Sequence, residues 1–371
     1  MIDVYIQKGL RTPIGLAGKQ FARVRPELLG AQLINALVKA DKLAIDEVIC
    51  GNAVGTGGNI GRLMTLYSDL GETVPAITVD MQCASAGAAL TMGYAKIKAG
   101  LATRLLAGGI ESSSLQPQRI YAAADSRSGA YQVAQFSPDT SSQLAMIAGA
   151  ERVAQAYQMT PSQLNQWTLT SHQRAHIARQ KHWLADIILA MPGMSDQGIR
   201  PRLSEKVLSK VPPILDKAGL ISAANTCLTH DAVAFLVLSS QKSAYQILDL
   251  VEVAGNPKTS PQMVVEASRV LLARNGLAMT DMDAIEWNEA FAVIDLLFEH
   301  YFSEALDRYN IFGGALAYGH PFGASAAIII LHLMQALVLK QGRYGLAAIP
   351  AAGGQAFALL LEYHKDYSHA I

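Results

Sequence analysis

The chain has 371 residues, of which 51 % are hydrophobic and 16 % charged, with 30 basic and 30 acidic side chains. This length exceeds one ordinary core, and the apolar content excludes an intrinsically disordered chain. Because the net charge is zero, we expect neither a nucleic acid nor a membrane as partner. Three cysteines without a paired spacing predict no disulfide framework and no metal site. The start lacks the apolar core of a secretory signal, so we expect a cytoplasmic protein with reduced thiols.

The first predicted elements form a strand–helix–strand succession. Residues 74–80 (VPAITVD) predict a buried strand, residues 85–100 a helix that ends at Gly100, and residues 103–112 (TRLLAGGIES) the next strand. Strands joined in this way by a helix pair in parallel. The first part of the chain is therefore predicted to be an α/β unit with a parallel sheet.

Residues 113–245 differ in composition from the segments on either side. The region begins polar and loop-like and then becomes helical, with Thr160 predicted as an N-cap and Pro161 as the first helical residue. An insertion of this kind commonly covers a site built on the edges of a sheet. His172 and His176 have a spacing that can hold a metal, but no third ligand completes a motif. We therefore expect them on a solvated helix face.

The last third of the chain repeats the plan of the first. Residues 282–293 predict a strand that ends in a loop, residues 323–342 a helix that begins with small residues, and residues 344–363 two strands around a tight loop. The phrases CASAGAALTMGYAKI and GASAAIIILHLMQAL share a small-residue start and an apolar helical body. We interpret this as a diverged internal duplication into two similar α/β halves.

Cys83 lies in VDMQCASAGAAL, after a predicted strand and at the start of a predicted helix. Peptide dipoles and free N–H groups at a helix start favour an anion, so we expect a lowered thiol pKa and a larger thiolate fraction. The small residues that follow let a ligand approach the backbone. A buried structural cysteine explains the position equally well, so Cys83 by itself is only a candidate nucleophile.

Two polar residues in the second half are candidates for the same site. His320 lies in GGALAYGHPFGASAA, where glycines and a proline predict a tightly shaped loop before a helix. A histidine there can act as a base toward a thiol, although a loop histidine bonded to backbone is the simpler explanation. Asn288, in EWNEAFAV, can position a water or donate to an oxyanion, but a lone loop asparagine is usually a cap or turn residue.

Taken together, these segments resemble a known family. MQCASAG, NEAFAV, GGALAYGHPFGASAA and GGQ are similar, in order and spacing, to the signature blocks of thiolases, and so are RTPIGLAGKQFARVRPELLGAQLI, EVICGNAVGTGG, LLAGGIESSS and LTSHQRAHIARQ. The resemblance covers nearly the whole chain. It implies a thiolase-like five-layer α-β-α-β-α sandwich of two duplicated βαβαβαββ halves, with an inserted loop domain that holds coenzyme A.

On this basis the chain divides into three parts. Residues 1–112 form the predicted N-terminal half, residues 113–245 the inserted coenzyme A-binding loop domain and residues 246–371 the C-terminal half. The sequence leaves open whether part of residues 225–250 returns to the first half. The resemblance also implies an acyl-CoA thioester as substrate, no metal or other cofactor, and a homodimer or homotetramer.

The resemblance assigns catalytic roles residue by residue. Cys83 stands where the family has its acyl-accepting nucleophile, and His320 at the histidine that activates it and binds the thioester oxygen. Asn288 stands at the asparagine that holds a water in the first oxyanion hole. The backbone amides of Cys83 and Ala352 correspond to the second oxyanion hole, where the family has glycine in place of Ala352.

Four further positions are expected to bind substrate. Met146, in LAMIAGAERVA, matches a methionine that lines the acyl pocket. Asn225 and Cys227 lie in the segment that contacts the pantetheine in thiolases, and Gly353 lies in the last signature block. This chain departs from the family in that segment, because it has Ala-Asn-Thr-Cys-Leu where thiolases tend to have Gly-Asn-Ala-Ser-Gly.

The largest departure is Pro350. Thiolases have at this place a second cysteine, which removes a proton from the α-carbon of the second acetyl-CoA, and proline has no ionisable group. His320 or Tyr318 could substitute as the base. The first interpretation is therefore a thiolase-type acyltransferase with impaired carbon–carbon chemistry. The alternatives are decarboxylative condensation as in ketoacyl synthases, acyl-CoA thioester hydrolysis, and a degenerate acyl-CoA-binding scaffold.

Overall fold

The first half of the molecule is an α/β unit. The protein is seen in a computed structural model that describes residues 2–39, 43–55, 58–138 and 144–367. The elements of this half are, in chain order, β1 (Val4–Arg11), β2 (Gly15–Leu16), α1 (Pro26–Lys39), β3 (Glu47–Gly51), α2 (Ile60–Tyr67), β4 (Ala76–Val79), α3 (Ser85–Lys98) and β5 (Arg104–Ser112). The predicted strand, helix and strand at β4, α3 and β5 are confirmed, and β3 pairs in parallel with both β4 and β5.

The middle region contains short strands and helices. Its elements are β6 (Arg119–Ile120), β7 (Ala130–Tyr131), α4 (Ala145–Ala156), α5 (Pro161–Gln180) and α6 (Glu205–Leu208). The predicted cap of α5 is confirmed, since Thr160 accepts from the backbone N–H of Gln163 and the Gln163 side chain bonds back to the Thr160 backbone. His172 on α5 is only 5 % exposed, so the predicted solvated face is wrong for this residue.

The remaining elements complete both halves. They are β8 (His230–Ser239), β9 (Tyr245–Ala254), α7 (Met263–Arg274), β10 (Ala284–Trp287), α8 (Ala292–Phe302), α9 (Ala315–Tyr318), α10 (Ser325–Lys340), β11 (Tyr344–Ala351) and β12 (Gln355–Tyr363). Although β8 lies within the segment 113–245, it pairs antiparallel with β1 and β5. Part of residues 225–250 thus pairs with strands of the first half, because a fully buried ten-residue strand needs partners on both edges.

The sheet shows the duplication directly. The strand order is β10-β11-β12-β9-β1-β8-β5-β3-β4, with β2 added beside β8, and β1 joins the halves by pairing with β9. The order β4-β3-β5-β8-β1 in the first half corresponds to β10-β11-β12-β9 in the second. The counterpart of β4 is reduced to a single parallel bridge between Ile285 and Tyr309.

Three groups of buried side chains hold the five layers together. One core joins α3 and α10 to strands of both halves. A second core packs α7 and α8 on the second half of the sheet, and a third packs α1 and α2 on the first half. Helices α3 and α10, which begin with the repeated small residues, thus form the central layer. The predicted five-layer sandwich is confirmed.

Helix α10 is apolar on every side. Within the described residues, Phe322–Lys340 is the one helical segment long and apolar enough to cross a membrane by length and composition, and 78 % of its most apolar window is buried inside the protein. A helix that is hydrophobic all round and covered by protein is a core helix. Its burial fixes the position of the loop that precedes it, which carries His320.

Candidate active site

Cys83 lies in a 3-10 turn, Gln82–Ala84, between β4 and α3. The preceding Gln82 has φ of 52°, a left-handed conformation that costs energy for a residue with a side chain. Asp80 holds this conformation, because its Oδ1 accepts from the Gln82 backbone N–H at 2.7 Å. The Ser85 hydroxyl donates to the Gln82 carbonyl at 2.6 Å and accepts from the Met81 amide at 2.9 Å. The turn is therefore fixed on both sides of the thiol.

Burial controls the protonation state of Cys83. Desolvation raises the pKa of the Cys83 thiol to about 12, although the backbone N–H groups of Ala352 and Cys83 act to lower it. The expectation of a lowered thiol pKa is therefore wrong for the free site, because the helix start is too deeply buried for its dipole to prevail. Cys83 rests as a thiol and requires a base to become a nucleophile.

His320 is held by its loop in a buried position, with 1 % exposure. Gly319 before it has φ of 113°, and a Cβ there would overlap the ring of His230. The His320 amide lies 3.3 Å from Nδ1 of His230, and a parallel bridge joins His320 to Thr229. The glycine predicted from the sequence is thus required by backbone angle and by close approach. Burial and, to a smaller extent, the neighbouring His230 together lower the pKa of His320 to about 3.

The tautomer of His320 follows from Ser325. The Ser325 hydroxyl donates its single proton to the Pro321 carbonyl at 2.9 Å, so the contact of 2.6 Å between Ser325 Oγ and His320 Nδ1 needs the proton on Nδ1. Nε2 of His320 then carries a lone pair. A neutral imidazole with a free Nε2 lone pair can accept the proton of a thiol.

Asn288 contacts the imidazole without lining the cavity described below. Its backbone N–H donates to the Ala348 carbonyl at 3.0 Å, which extends the pairing of β10 with β11. Its Nδ2 lies 3.5 Å from Nδ1 and 3.4 Å from Nε2 of His320. With the proton on Nδ1, the Asn288 amide can donate only to Nε2, and a length of 3.4 Å makes this a weak hydrogen bond.

Cys83 and His320 line the same cavity, which has a volume of about 270 Å³. Three more of the predicted residues also line this cavity, namely Ala352, Met146 and Cys227. Sequence reasoning missed several lining residues from the middle region and the loops, namely Ser113, Gln116, Gln132, Val133, Phe136 and Phe291. No local pattern marks them, because loop side chains meet in space without any sequence period.

Two predicted substrate-binding residues do not line this cavity. The Asn225 side chain is 1 % exposed, accepts from the Ser222 amide at 2.9 Å and donates to the Leu220 carbonyl at 2.9 Å. Its polar atoms are therefore used to hold its own loop. Gly353 has φ of 87° and forms the tight turn between β11 and β12. Its role is to let the chain turn back directly after Ala352.

The segment from Thr226 to His230 separates this cavity from a second one of about 180 Å³. Cys227 and Thr229 line the cavity of Cys83, whereas Leu228 and His230 line the other cavity, and Thr226 lines both. This alternation is what an extended chain produces. Within the described residues, Nε2 of His230 and Oγ1 of Thr226 are buried without a hydrogen-bond partner.

Glu111 connects the two halves next to the site. Its carboxylate, 1 % exposed, accepts from the amides of Ala53, Val54 and Gly323 and from the Asn52 side chain at 3.0–3.3 Å. Burial raises the pKa of Glu111 to about 7. Its negative charge also raises the pKa of the Cys83 thiol. Across the described ranges, no group of three or more His, Cys, Asp or Glu side chains is arranged to hold a metal ion.

Comparisons with known proteins agree with this architecture. The thiolase N-terminal domain matches residues 4–242, and the thiolase C-terminal domain matches residues 211–363. YhfS of Bacillus subtilis is 34 % identical over 349 residues, which cover 91 % of this chain and 93 % of that protein. An acetyl-CoA acetyltransferase of Synechocystis sp. is 31 % identical over 397 residues, which cover 98 % of this chain and 100 % of that protein.

A solved structure shows the same fold. In the crystal structure of the Bacillus anthracis acetyl-CoA acetyltransferase, 99 % of that chain aligns with 98 % of this one at a TM-score of 0.91 and 24 % identity. The duplicated α/β sheet brings a cysteine of one half and a histidine of the other into one cavity. The matched domains and relatives identify the chain as an acyl-CoA acyltransferase. The chain belongs to the thiolase family.

Proposed function

We propose that this protein transfers acyl groups from acyl-CoA thioesters through a covalent acyl-Cys83 intermediate. The observation that carries the proposal is the single cavity lined by Cys83, His320 and Ala352. It combines a thiol, a base and a backbone donor. The names of the relatives, several of which are acetyl-CoA acetyltransferases, support acyl-CoA as the substrate class.

The first chemical step is attack of the Cys83 sulfur on the thioester carbonyl carbon. Both groups start neutral, since burial keeps Cys83 protonated and His320 unprotonated near pH 7. Nε2 of His320 accepts the thiol proton as the carbon–sulfur bond forms. A base positioned in this way typically contributes about 10²–10⁴-fold to the rate.

Two backbone amides stabilise the negative charge that develops on the carbonyl oxygen. The backbone N–H groups of Cys83 and Ala352 both lower the pKa of the Cys83 thiol, so they act on this sulfur, and Ala352 lines the same cavity. Donors already aimed at the reacting sulfur need little reorganisation to bind an oxygen attached to the carbon that the sulfur attacks. The alanine at position 352 serves as well as a glycine here, because only its backbone N–H is used.

The lining of the cavity favours apolar acyl chains. Valine, methionine, isoleucine and phenylalanine side chains cover much of it, at Val133, Phe136, Met146, Ile147 and Phe291. Decarboxylative condensation remains a second candidate because Pro350 supplies no base. However, none of the described lining residues is an arginine or lysine that could pair with the free carboxylate of a malonyl-type donor. Acyl transfer between thioesters is therefore the better-supported function.

The decisive experiment is intact mass spectrometry of the purified protein after mixing with acetyl-CoA. We expect the wild-type mass to increase by one acetyl group and the Cys83→Ala variant to stay unmodified. Cys50→Ala is the matched control, because Cys50 is buried in β3 and does not line the cavity. It should be acetylated like the wild type. Binding of coenzyme A without any adduct would instead identify an acyl-CoA-binding scaffold.

The oligomeric state stays a prediction of the family resemblance, either a homodimer or a homotetramer. Several apolar side chains on α1 and α2 are exposed, among them Leu28, Leu63, Leu66 and Tyr67. Clusters of this kind are common at subunit interfaces. Sedimentation velocity at micromolar concentration measures the state directly, and a monomer would contradict the prediction.

A further inference from the structure

The cavity of Cys83 contains a second thiol, that of Cys227. The backbone of Cys227 is fixed, because its N–H donates to the Ala290 carbonyl at 3.0 Å and the adjacent Thr226 forms a bridge with Phe291. The Cys227 side chain lines the cavity of Cys83 and not the second cavity, because residues along this extended segment alternate between the two. Its place on the wall therefore results from the extended course of the segment and its pairing with the NEAFAV loop.

The two thiols line the same cavity. Burial raises the pKa of Cys227, and a negative charge on Cys83 raises it further. Cys227 therefore rests as a neutral thiol that can donate a proton. Among the described residues that line this cavity, Cys83, Cys227 and His320 are the ones that titrate.

The other candidate for the missing base is placed elsewhere. The Tyr318 hydroxyl donates to the Phe312 carbonyl at 3.1 Å, and Tyr318 does not line the cavity of Cys83. Pro350 is buried in β11 opposite Ala356 and does not line it either. His320 is already used to deprotonate Cys83. Carbon–carbon chemistry at this site thus needs a second proton carrier, and Cys227 is the remaining titratable side chain on the cavity wall.

We propose that Cys227 is the second catalytic thiol of this enzyme and exchanges the proton with the α-carbon of the substrate, the task for which Pro350 is unsuited. This inference rests on the proposed acyl transfer through Cys83. Cys227 would act in the cleavage of a 3-ketoacyl-CoA by coenzyme A, or in the condensation of two acyl-CoA molecules in the reverse direction.

The proton balance in the cleavage direction is complete. Cys83 attacks the 3-keto carbon, His320 takes the thiol proton, and the bond between the α-carbon and the 3-keto carbon breaks. Its electron pair stays on the α-carbon, which takes the proton of Cys227 and leaves as acetyl-CoA. Coenzyme A then gives its thiol proton to the Cys227 thiolate and its sulfur to the acyl carbon. The bond to Cys83 breaks, and the Cys83 sulfur recovers its proton from His320.

The test separates acylation from proton exchange at carbon. Acetylation of Cys83 by acetyl-CoA expels coenzyme A, a thiolate that is a weak base and leaves readily without an acid. Protonation of a carbanion depends much more strongly on a positioned donor. In Cys227→Ala and Cys227→Ser we expect acetylation of Cys83 within about tenfold of the wild type, whereas acetoacetyl-CoA thiolysis and deuterium exchange into the acetyl-CoA methyl group fall about 10²–10⁴-fold.

One control variant completes the design. Cys50→Ala, which removes the remaining cysteine in a buried strand, should keep both activities. Thiolysis within tenfold of the wild type in both Cys227 variants would overturn the inference about Cys227 and leave acylation of Cys83 standing. Failure of the wild type to acylate Cys83 would instead overturn the proposed function itself.

Discussion

The starts of α3 and α10 are the same piece of structure used for two different purposes. Both helices begin with Ala-Ser-Ala after a 3-10 turn, and Cys83 and Gly323 each lie two residues before the serine. Ser85 and Ser325 both donate to a backbone carbonyl of the preceding turn. The first half places a thiol at this point, and the second half places an imidazole three residues earlier.

The difference between the two starts has a steric reason. A Cβ on Gly323 would overlap the Ile110 carbonyl oxygen, whereas the corresponding position in the first half accommodates Cys83 beside the cavity. The Gly323 amide also donates to Glu111 of the first half at 3.0 Å. The second helix start is therefore used for contact between the halves, which leaves only the first one open to substrate.

The largest effect is expected when the imidazole that the second half supplies as the base for Cys83 is removed. His320→Ala should lower the rate constant of Cys83 acetylation about 10²–10⁴-fold, because the thiol loses its base while both amide donors remain. Rapid-quench mass spectrometry measures this constant. His332→Leu is a matched control on α10, since His332 is also buried but does not line the cavity. Equal loss in both variants would contradict a specific role for His320.

The two serines provide the sharpest comparison of the halves. Ser325→Ala removes the partner of His320 Nδ1 and should slow acetylation about tenfold, the equivalent of one hydrogen bond. Ser85→Ala removes bonds to backbone alone and should change it less. A positioning role predicts that Ser325→Thr recovers the rate and that affinity for coenzyme A stays constant. Loss of affinity in step with rate would indicate a purely structural effect.

The contact between the halves at Glu111 should have a smaller effect on reactivity. Glu111→Gln keeps the shape but removes the charge that raises the pKa of Cys83, so alkylation of Cys83 by iodoacetamide at pH 8.5 should accelerate severalfold. The amide also loses an acceptor for buried N–H groups, so the free energy of unfolding should fall by about 1–3 kcal/mol. An unchanged alkylation rate would show that Glu111 does not influence the thiol.

The smallest expected effect is that of pH on acetylation. The pKa of Cys83 is raised to about 12 and that of His320 is lowered to about 3, so both stay neutral between pH 5 and 8. Acetylation measured as initial adduct formation should then show no titration of Cys83 or His320 over this range, and only the ionisation of Glu111, with its pKa raised to about 7, should change the rate. A steep rise with an apparent pKa near 6.5 would show that His320 titrates as an exposed histidine does.

In contrast to acetylation, the free energy of unfolding should depend on pH through the buried histidines. A buried neutral His320 has a folded-state pKa below its unfolded value near 6.5, so the unfolded chain binds more protons as the pH falls. The contribution of His320 to the free energy of unfolding is thus fully present above pH 6.5 and is lost as the pH falls toward 3. His332, whose pKa burial also lowers to about 3, adds to the same trend.

The sequence by itself determined the duplication, the nucleophile turn and the histidine loop. These features have short-range causes, since periodicity, small-residue helix starts and the glycine at 319 act within a few residues of chain. Ser325 could also have been found, because it occupies in the second repeat the place that Ser85 occupies in the first.

Only the tertiary structure decided which side chains share the cavity and in which protonation state. Three features depend on contacts between distant segments. The Asn225 side chain bonds within its own loop, β8 pairs with strands of the first half, and Cys227 lines the cavity. The raised pKa of Cys83 has the same origin. Burial is a property of the assembled fold, and at this helix start it outweighs the dipole that the local sequence creates.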